Sequence, residues 1–324
     1  MNWRTTLITA FAVACASPAL AAQTAYPNKT IRMIVGYPPG GGADIMARLV
    51  GERASEALGV SLVIDNRPGA GSTLAMGLAA QATPDGYTLL FSTAGLTINP
   101  SLYNRVPYDP INDFAPISQV TSSPFVLVVR EAMPVKNLKE LIAAAKAKPG
   151  SLIYSSGGNG STGHLSGELF KSMAGIDVQH IPYKGLAPAL NDLLGGRVDM
   201  TMSSLPSCMG HIKAKRLKAL AITTARRMPF AADIPTMAEG GLEGYDIEQW
   251  YGVLAPSGTG KDAVYKVYEA LKRTLRSDDA QLAEKLASMG SRMNVTDPGE
   301  FARFIPANLA MWAGIVKISG ARVE

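Results

Sequence analysis

The stretch Ile31-Arg32-Met33-Ile34-Val35-Gly36-Tyr37-Pro38-Pro39-Gly40-Gly41-Gly42-Ala43-Asp44 decides the fold. Its first five residues form an apolar run of the length of a buried strand. Asp44 then opens a helix. Ile45, Met46, Leu49, Val50, Ala54, Ala57 and Leu58 follow at helical spacing, and Gly59 closes it. The glycines between strand and helix let the backbone adopt positive φ and approach a ligand closely. A helix N-terminus adds unpaired N–H groups and partial positive charge, so such a turn can hold an anion without Lys or Arg.

Outward from this turn, strands and helices alternate. Leu62-Val63-Ile64 is the next strand, 73–82 a helix, and Tyr87-Thr88-Leu89-Leu90-Phe91 a third strand. This βαβαβ order predicts an α/β fold with a mostly parallel sheet flanked by helices. The pattern then restarts at Phe125-Val126-Leu127-Val128-Val129. Helices follow over 138–146, 162–173 and 187–194, with strands at 152–154, 178–181, 198–202 and 218–223. A late strand at 251–254 precedes helices at 262–277, 280–289 and 300–318. The second unit reads as an insertion within the first. Residues 22–122 and 225–324 form one lobe and 123–224 the other, with a hinge near 121–125 and 222–226.

The second unit has its own strand-to-helix glycine turn, Ser155-Ser156-Gly157-Gly158-Asn159-Gly160-Ser161-Thr162-Gly163. Two such turns facing across a cleft suit a small anion, one with carboxylates at both ends included. Gly158–Gly163 also matches G-x-G-x-x-G, but the next strand ends at Pro182-Tyr183-Lys184 without the acid a dinucleotide ribose needs. Ser161 and His164 leave a Ser/His hydrolase as a second alternative. A capping serine followed by a helical histidine is the plainer reading. No G-x-S-x-G elbow occurs.

The composition agrees. Of 324 residues, 47% are hydrophobic and 18% charged, so the chain is globular rather than disordered. A formal charge of +5 without a basic block argues against nucleic acid. Two cysteines and three histidines exclude a disulfide scaffold and argue against a metal centre. No cofactor is expected. Arg4, the apolar run from Leu7 to Ala14 and Ala19-Leu20-Ala21 make residues 1–21 a removable secretory leader. Cys15 as a lipid attachment site is the competing reading. After cleavage Cys208 is the remaining thiol.

The motifs also resemble a family. Tyr37-Pro38-Pro39-Gly40-Gly41-Gly42-Ala43-Asp44 is followed in order by Asn66-Arg67-Pro68-Gly69-Ala70-Gly71 and Pro84-Asp85-Gly86-Tyr87-Thr88. Ile98-Asn99-Pro100, Asp113-Phe114-Ala115-Pro116, Gly160-Ser161 with His164, His180-Ile181-Pro182-Tyr183-Lys184-Gly185 and Trp250 with Gly252 complete the series. This ordered set is similar to the Bug proteins, periplasmic solute receptors of tripartite tricarboxylate transporters. The resemblance implies a type II periplasmic-binding-protein fold whose two lobes close on a ligand cleft, and no enzymatic activity. It implies a small carboxylate ligand (di- or tricarboxylate, aromatic acid or similar), a periplasmic location, and integral-membrane transporter subunits as transient partners of a monomer. A sensor partner is the open alternative. By motif position it implies ligand contacts from Tyr37, Pro38, Gly40, Gly41, Gly42, Ala43 and Asp44 in the first loop. The second loop contributes Ser156, Gly157, Gly160, Ser161, Thr162 and His164, with Thr93, Ala94 and Tyr183 as walls. Asp44 is expected to cap its helix or order water rather than touch an anion. Tyr37 stands where Phe is common in the family, and Ala43 where Thr often precedes the Asp.

Overall fold

A computed structural model describes residues 26–321 except Ser277. The expected leader lies outside the described residues. The first elements are β1 (Ile31–Val35), α1 (Gly42–Leu58), β2 (Leu62–Asn66), α2 (Thr73–Ala80), β3 (Thr88–Thr93) and α3 (Gly95–Leu102). A long strand, β4 (Phe114–Arg130), leads to α4 (Leu138–Ala147), β5 (Ile153–Ser156), α5 (Thr162–Ala174) and β6 (Gln179–Pro182). Then come α6 (Leu186–Leu194), β7 (Met200–Ser204), α7 (Leu205–Lys213) and β8 (Leu217–Ile222). The chain ends with β9 (Glu248–Pro256), α8 (Lys261–Thr274), α9 (Ala280–Ser288), β10 (Arg292–Met293) and α10 (Pro298–Ser319).

The strand order is β2-β1-β3-β9-β4-β7-β5-β6, with β8 and β10 also on β4. The two βα units give parallel triads, β2-β1-β3 and β7-β5-β6. β4 pairs antiparallel with β9, β7, β8 and β10, and β9 with β3, so the sheet as a whole is mixed.

β4 joins the halves. Phe114 to Pro124 pairs with β9, and Phe125 to Arg130 pairs with β7 and β8. The sequence suggests only its second part, because Pro116 and Pro124 interrupt the apolar pattern and central-strand prolines are rare. Pro116 is accommodated at a register shift against β9. The buried polar run that follows finds partners: Ser118 Oγ donates to Thr296 O (2.8 Å) and Gln119 N to Thr296 Oγ1 (3.0 Å).

Two short helices escape the sequence pattern. α3 carries Pro100 inside it, and α7 begins directly at the end of β7 with Pro206 in its first turn. Residues 225–247, grouped by sequence with the first lobe, pack on the second half instead. Met228 and Ala231 join the apolar cluster of Leu190, Leu205 and Cys208, and Gly240 lies against Leu138. The chain returns to the first half at β9, where Ile247 N meets Thr223 O (2.8 Å). α10 spans both halves. Asn308 Oδ1 accepts from Thr97 Oγ1 (2.7 Å) and Trp250 Nε1 (3.0 Å), while Ile318 O accepts from Ser172 on α5 (3.4 Å).

Candidate ligand-binding cleft

The first glycine turn sits at the end of β1, and Gly41 is the N-cap of α1. Asp44 does not cap the helix by its side chain. It lies in the first turn and reaches back, accepting from Gly40 N (3.0 Å), and also from Asn66 Nδ2 (3.0 Å) and Arg48 Nε (3.0 Å). Burial pushes its carboxyl pKa up, but the bonds from Arg48, Gly40 and Asn66 override this and hold it below the ordinary value. Asp44 is thus the brace of the loop, and Arg48 offsets its charge. Gly42 donates its N–H to Ser207 Oγ (2.8 Å), across the cleft on α7. The N–H groups of Gly41 and Ala43 take no acceptor among the described residues.

The second turn repeats this design. Ser161 caps α5 by accepting from His164 N (3.2 Å), so its hydroxyl meets the histidine backbone, as the capping reading expects. Thr162 and Gly163 N–H remain without acceptors among the described residues. Thr162 Oγ1 is likewise unpartnered, on a residue 2% exposed. Behind the loop, His180 Nε2 bonds Ser156 Oγ (2.8 Å), and His164 Nδ1 accepts from Gly160 N (3.4 Å).

These two helix ends face one cavity. Tyr37, Pro38, Gly41, Gly42, Ala43, Thr93, Gly157, Ser161 and Thr162 line it, all named by the sequence. Phe125, Gly163, Leu186, Ser204, Gln249 and Tyr251 line it as well. None of these six was named by the sequence as a ligand contact, although Gly163 closes the second glycine turn. Gly40 and Asp44 stand behind the first loop as its brace, and Ser156 and His164 lie behind the second. Ala94 is buried under Thr93 at the start of α3. Gly160 packs between the halves, where a Cβ would collide with Asn99 Oδ1. Tyr183 lines an adjoining chamber and donates to Asp192 (2.7 Å).

No residue lining the cavity carries a formal charge. Burial pushes the Tyr251 phenol up to about 12 and raises that of Tyr37, so both stay neutral. Each helix N-terminus carries about half a positive charge, so two aimed at one point balance about one carboxylate. Their free N–H groups and the Thr162 hydroxyl fit the lone pairs of one carboxylate.

His164, Glu168 and His180 come together behind this site, with candidate ligand atoms within 4.8 Å. They do not make a metal centre. The two imidazoles stack at 4.5 Å and 21°, so their in-plane lone pairs run nearly parallel instead of converging. Glu168 is already bonded to Lys171 (2.9 Å) and to the Tyr154 hydroxyl. Burial lowers the pKa of His164 to about 4 and of His180 to about 3. Cys208 is fully buried and its thiol is pushed up to about 12, so it is inert as a nucleophile.

A mixed sheet threaded by one long strand, with helix ends meeting over a cleft, defines a periplasmic-binding-protein fold and a solute receptor. Residues 46–321 match the tripartite tricarboxylate transporter family receptor, and the chain belongs to that family, whose members are periplasmic receptors and not enzymes. It is 36% identical over 301 residues to protein BugT of Bordetella pertussis, covering 92% of each chain. Rpa4515 of R. palustris, solved with adipate, superposes with a TM-score of 0.89 at 37% identity, over 92% of this chain and all of that one. MatC of Rhodopseudomonas palustris, solved with malate, gives 0.84 at 29% identity over 90% of this chain and all of that one. No helix among the described residues is long and apolar enough to cross a membrane.

Proposed function

We propose that this receptor captures a small carboxylate in the cavity between α1 and α5 and hands it to the membrane subunits of a tripartite tricarboxylate transporter. The observation that carries this reading is the convergence of two helix N-termini, with unpartnered N–H groups and the unpartnered Thr162 hydroxyl, on a cavity without charged side chains. The ligand-bound relatives support the ligand class. The loops from Tyr37 to Ala43 and from Gly157 to Thr162 supply the binding groups, with Thr93, Gln249 and Tyr251 as walls.

The protein works as two lobes. One comprises the chain up to about residue 123 and from 248 onward; the other comprises 124–247. They bend where β4 crosses at Pro124-Phe125 and where Thr223 bonds both Phe125 and Ile247. Closure follows when a ligand contacts both lobes and shifts the population toward the closed form. Residues 1–21 direct export to the periplasm and are removed.

Thermal-shift and calorimetric titration of ligand-stripped, refolded protein with a panel of organic acids tests this reading. At 100 times Kd, a bound acid adds about 2.7 kcal/mol of stability. Stabilisation by one or more carboxylates and by none of their amides is expected. A panel in which no acid shifts the transition overturns it.

A further inference from the structure

The formal charge of the molecule is unevenly placed. Residues 124–247 hold fourteen Lys or Arg against ten Asp or Glu, whereas the rest of the described chain balances. The surplus of four positive charges therefore belongs to the second half. It is densest at the turn from α7 into β8, where Lys213, Lys215, Arg216 and Lys218 fall within six residues and no acid occurs between Asp199 and Asp233. Lys213, Lys215 and Arg216 are exposed and make no ion pair among the described residues. Lys213 Nζ donates to Ser288 O (3.1 Å), and Lys218 Nζ to the carbonyls of Glu131, Met133 and Val135. Those bonds fix the ammonium groups without neutralising them. The nearby acids are Glu131, whose N–H meets Arg216 O, and Asp199, whose carboxylate accepts from Ile153 N (2.9 Å).

The turn is built against backbone preference. Lys215 has φ 53°, in the left-handed region where glycine or asparagine ordinarily follows a helix. Its N–H and that of Arg216 still close α7, onto Ile212 O (2.9 Å) and His211 O (2.9 Å). A lysine kept at a position that glycine fills without strain points to use of its charge. The turn also stands clear of the cavity. Leu217 pairs with Arg130, about 16 Å along β4 from Phe125, and Ser204 and Ser207 lie at the other end of α7.

The kind of partner follows from what the patch lacks. Protein interfaces rest on apolar and aromatic anchors and are poor in lysine. No large apolar side chain between residues 182 and 264 is exposed. Exposed cations without an apolar anchor suit a plane of negative charge, which asks for no matching shape.

We propose that the α7–β8 turn adsorbs the receptor to anionic phospholipid headgroups through Lys213, Lys215 and Arg216, with Lys218 behind them. Adsorption confines the receptor to the surface that holds its membrane subunits and leaves the cavity uncovered.

Co-sedimentation of the chain, without residues 1–21, with lipid vesicles tests this. Binding is expected to vesicles of equal parts phosphatidylglycerol and phosphatidylcholine, not to phosphatidylcholine alone, and it fades in high salt. Each cation is worth roughly fivefold in partition. Lys215→Glu with Arg216→Glu is expected to lower partition at least about twentyfold. Lys266→Glu with Lys272→Glu, the same change of charge at exposed positions of α8, leaves binding in place. Lys215→Gly separates charge from folding: partition falls about fivefold while the melting temperature does not fall, because glycine relieves the left-handed strain. Equal partition into both kinds of vesicle, partition into neither, or equal loss in the α8 pair overturns the proposal. So does a turn that ignores vesicles and binds a glutamate-rich peptide, which would assign it to an acidic protein surface. None of these outcomes bears on solute capture, which the vesicles do not probe.

Discussion

Asp44 is the residue on which the first loop depends. It is 3% exposed, and it collects a backbone N–H, an amide and a guanidinium into one point. Asp44→Ala leaves Gly40 N–H without its acceptor and Asn66 Nδ2 with Tyr37 O alone, at a cost of about 1–3 kcal/mol in stability. It is expected to weaken ligand binding as well, because Gly41 and Ala43 lose their fixed position. Denaturant unfolding and calorimetry on the same sample check both effects. Unchanged stability would show that Arg48 and Asn66 find other partners. The stacked histidines add a pH dependence of their own. Their folded pKa values of about 4 and 3 lie below the ordinary 6.5, so the unfolded chain binds protons first as pH falls. Their stabilisation is complete above pH 6.5 and is lost progressively as pH drops toward 3. Glu168 opposes this on His164 and Lys171 reinforces it on both. Unfolding free energy is expected to fall by a few kcal/mol between pH 7 and pH 4. His164→Gln with His180→Gln should flatten that limb in urea titrations at several pH values. Binding follows the same limb, since Ser156 and Gly160 N–H both lean on these rings.

At the scale of elements, the two glycine turns were readable because each lies between a strand and a helix in the local sequence. What each glycine does was not. At Gly41, the N-cap of α1, a Cβ meets no protein atom closer than Pro38 O at 3.8 Å. Gly42 is the crowded one. A Cβ on it collides with Ser204 Oγ and stands 3.0 Å from Tyr251 Oη and 3.2 Å from Ser207 Oγ. Gly42→Val should therefore hold the lobes apart, lowering ligand affinity at least tenfold while the melting temperature without ligand stays within about 2 °C of wild type. Gly41→Ala keeps the closed geometry and costs less. If the two substitutions weaken binding equally, crowding at Gly42 is not what matters. The α7 end with Ser204 and Ser207 was hidden from sequence because its role is a contact 165 residues away. Gln249 was hidden for a related reason: it faces the cavity only because β9 pairs in a particular register with β4. The regrouping of 225–247 follows the same rule. Short loops with scattered apolar residues carry no period, and only Met228, Ala231 and Gly240 finding their neighbours shows which half they join.

For the molecule as a whole, two of the hydrogen bonds between the halves lie at separate places along the cleft, while Lys213 Nζ to Ser288 O and Ser172 Oγ to Ile318 O also join the halves. Gly42 N–H meets Ser207 Oγ (2.8 Å) near the cavity, and Tyr103 Oη donates to Asn159 O (3.0 Å) at the adjoining chamber. Gly71 packs against the same Asn159 carbonyl. Both bonds join residues of the two proposed lobes, so an opened cleft cannot make them. Each contributes about 0.5–1.5 kcal/mol to the closed form, which corresponds to a change of roughly two- to twelvefold in the closure equilibrium. For a free receptor that is mostly open, ligand meets the open form first and the encounter rate does not depend on either bond. Dissociation waits for opening and does. Ser207→Ala and Tyr103→Phe are each expected to raise koff by a few-fold, with kon unchanged in stopped-flow binding. On the proposed closure of two rigid lobes, and with no partner shared between the two residues, the double variant should raise koff by the product of the single effects. A product smaller than that would mean that one side of the cleft can shut without the other, and the two-lobe hinge at Pro124-Phe125 would have to be replaced by independent loop movements. A change in kon would place these contacts in the encounter step and remove them from closure altogether.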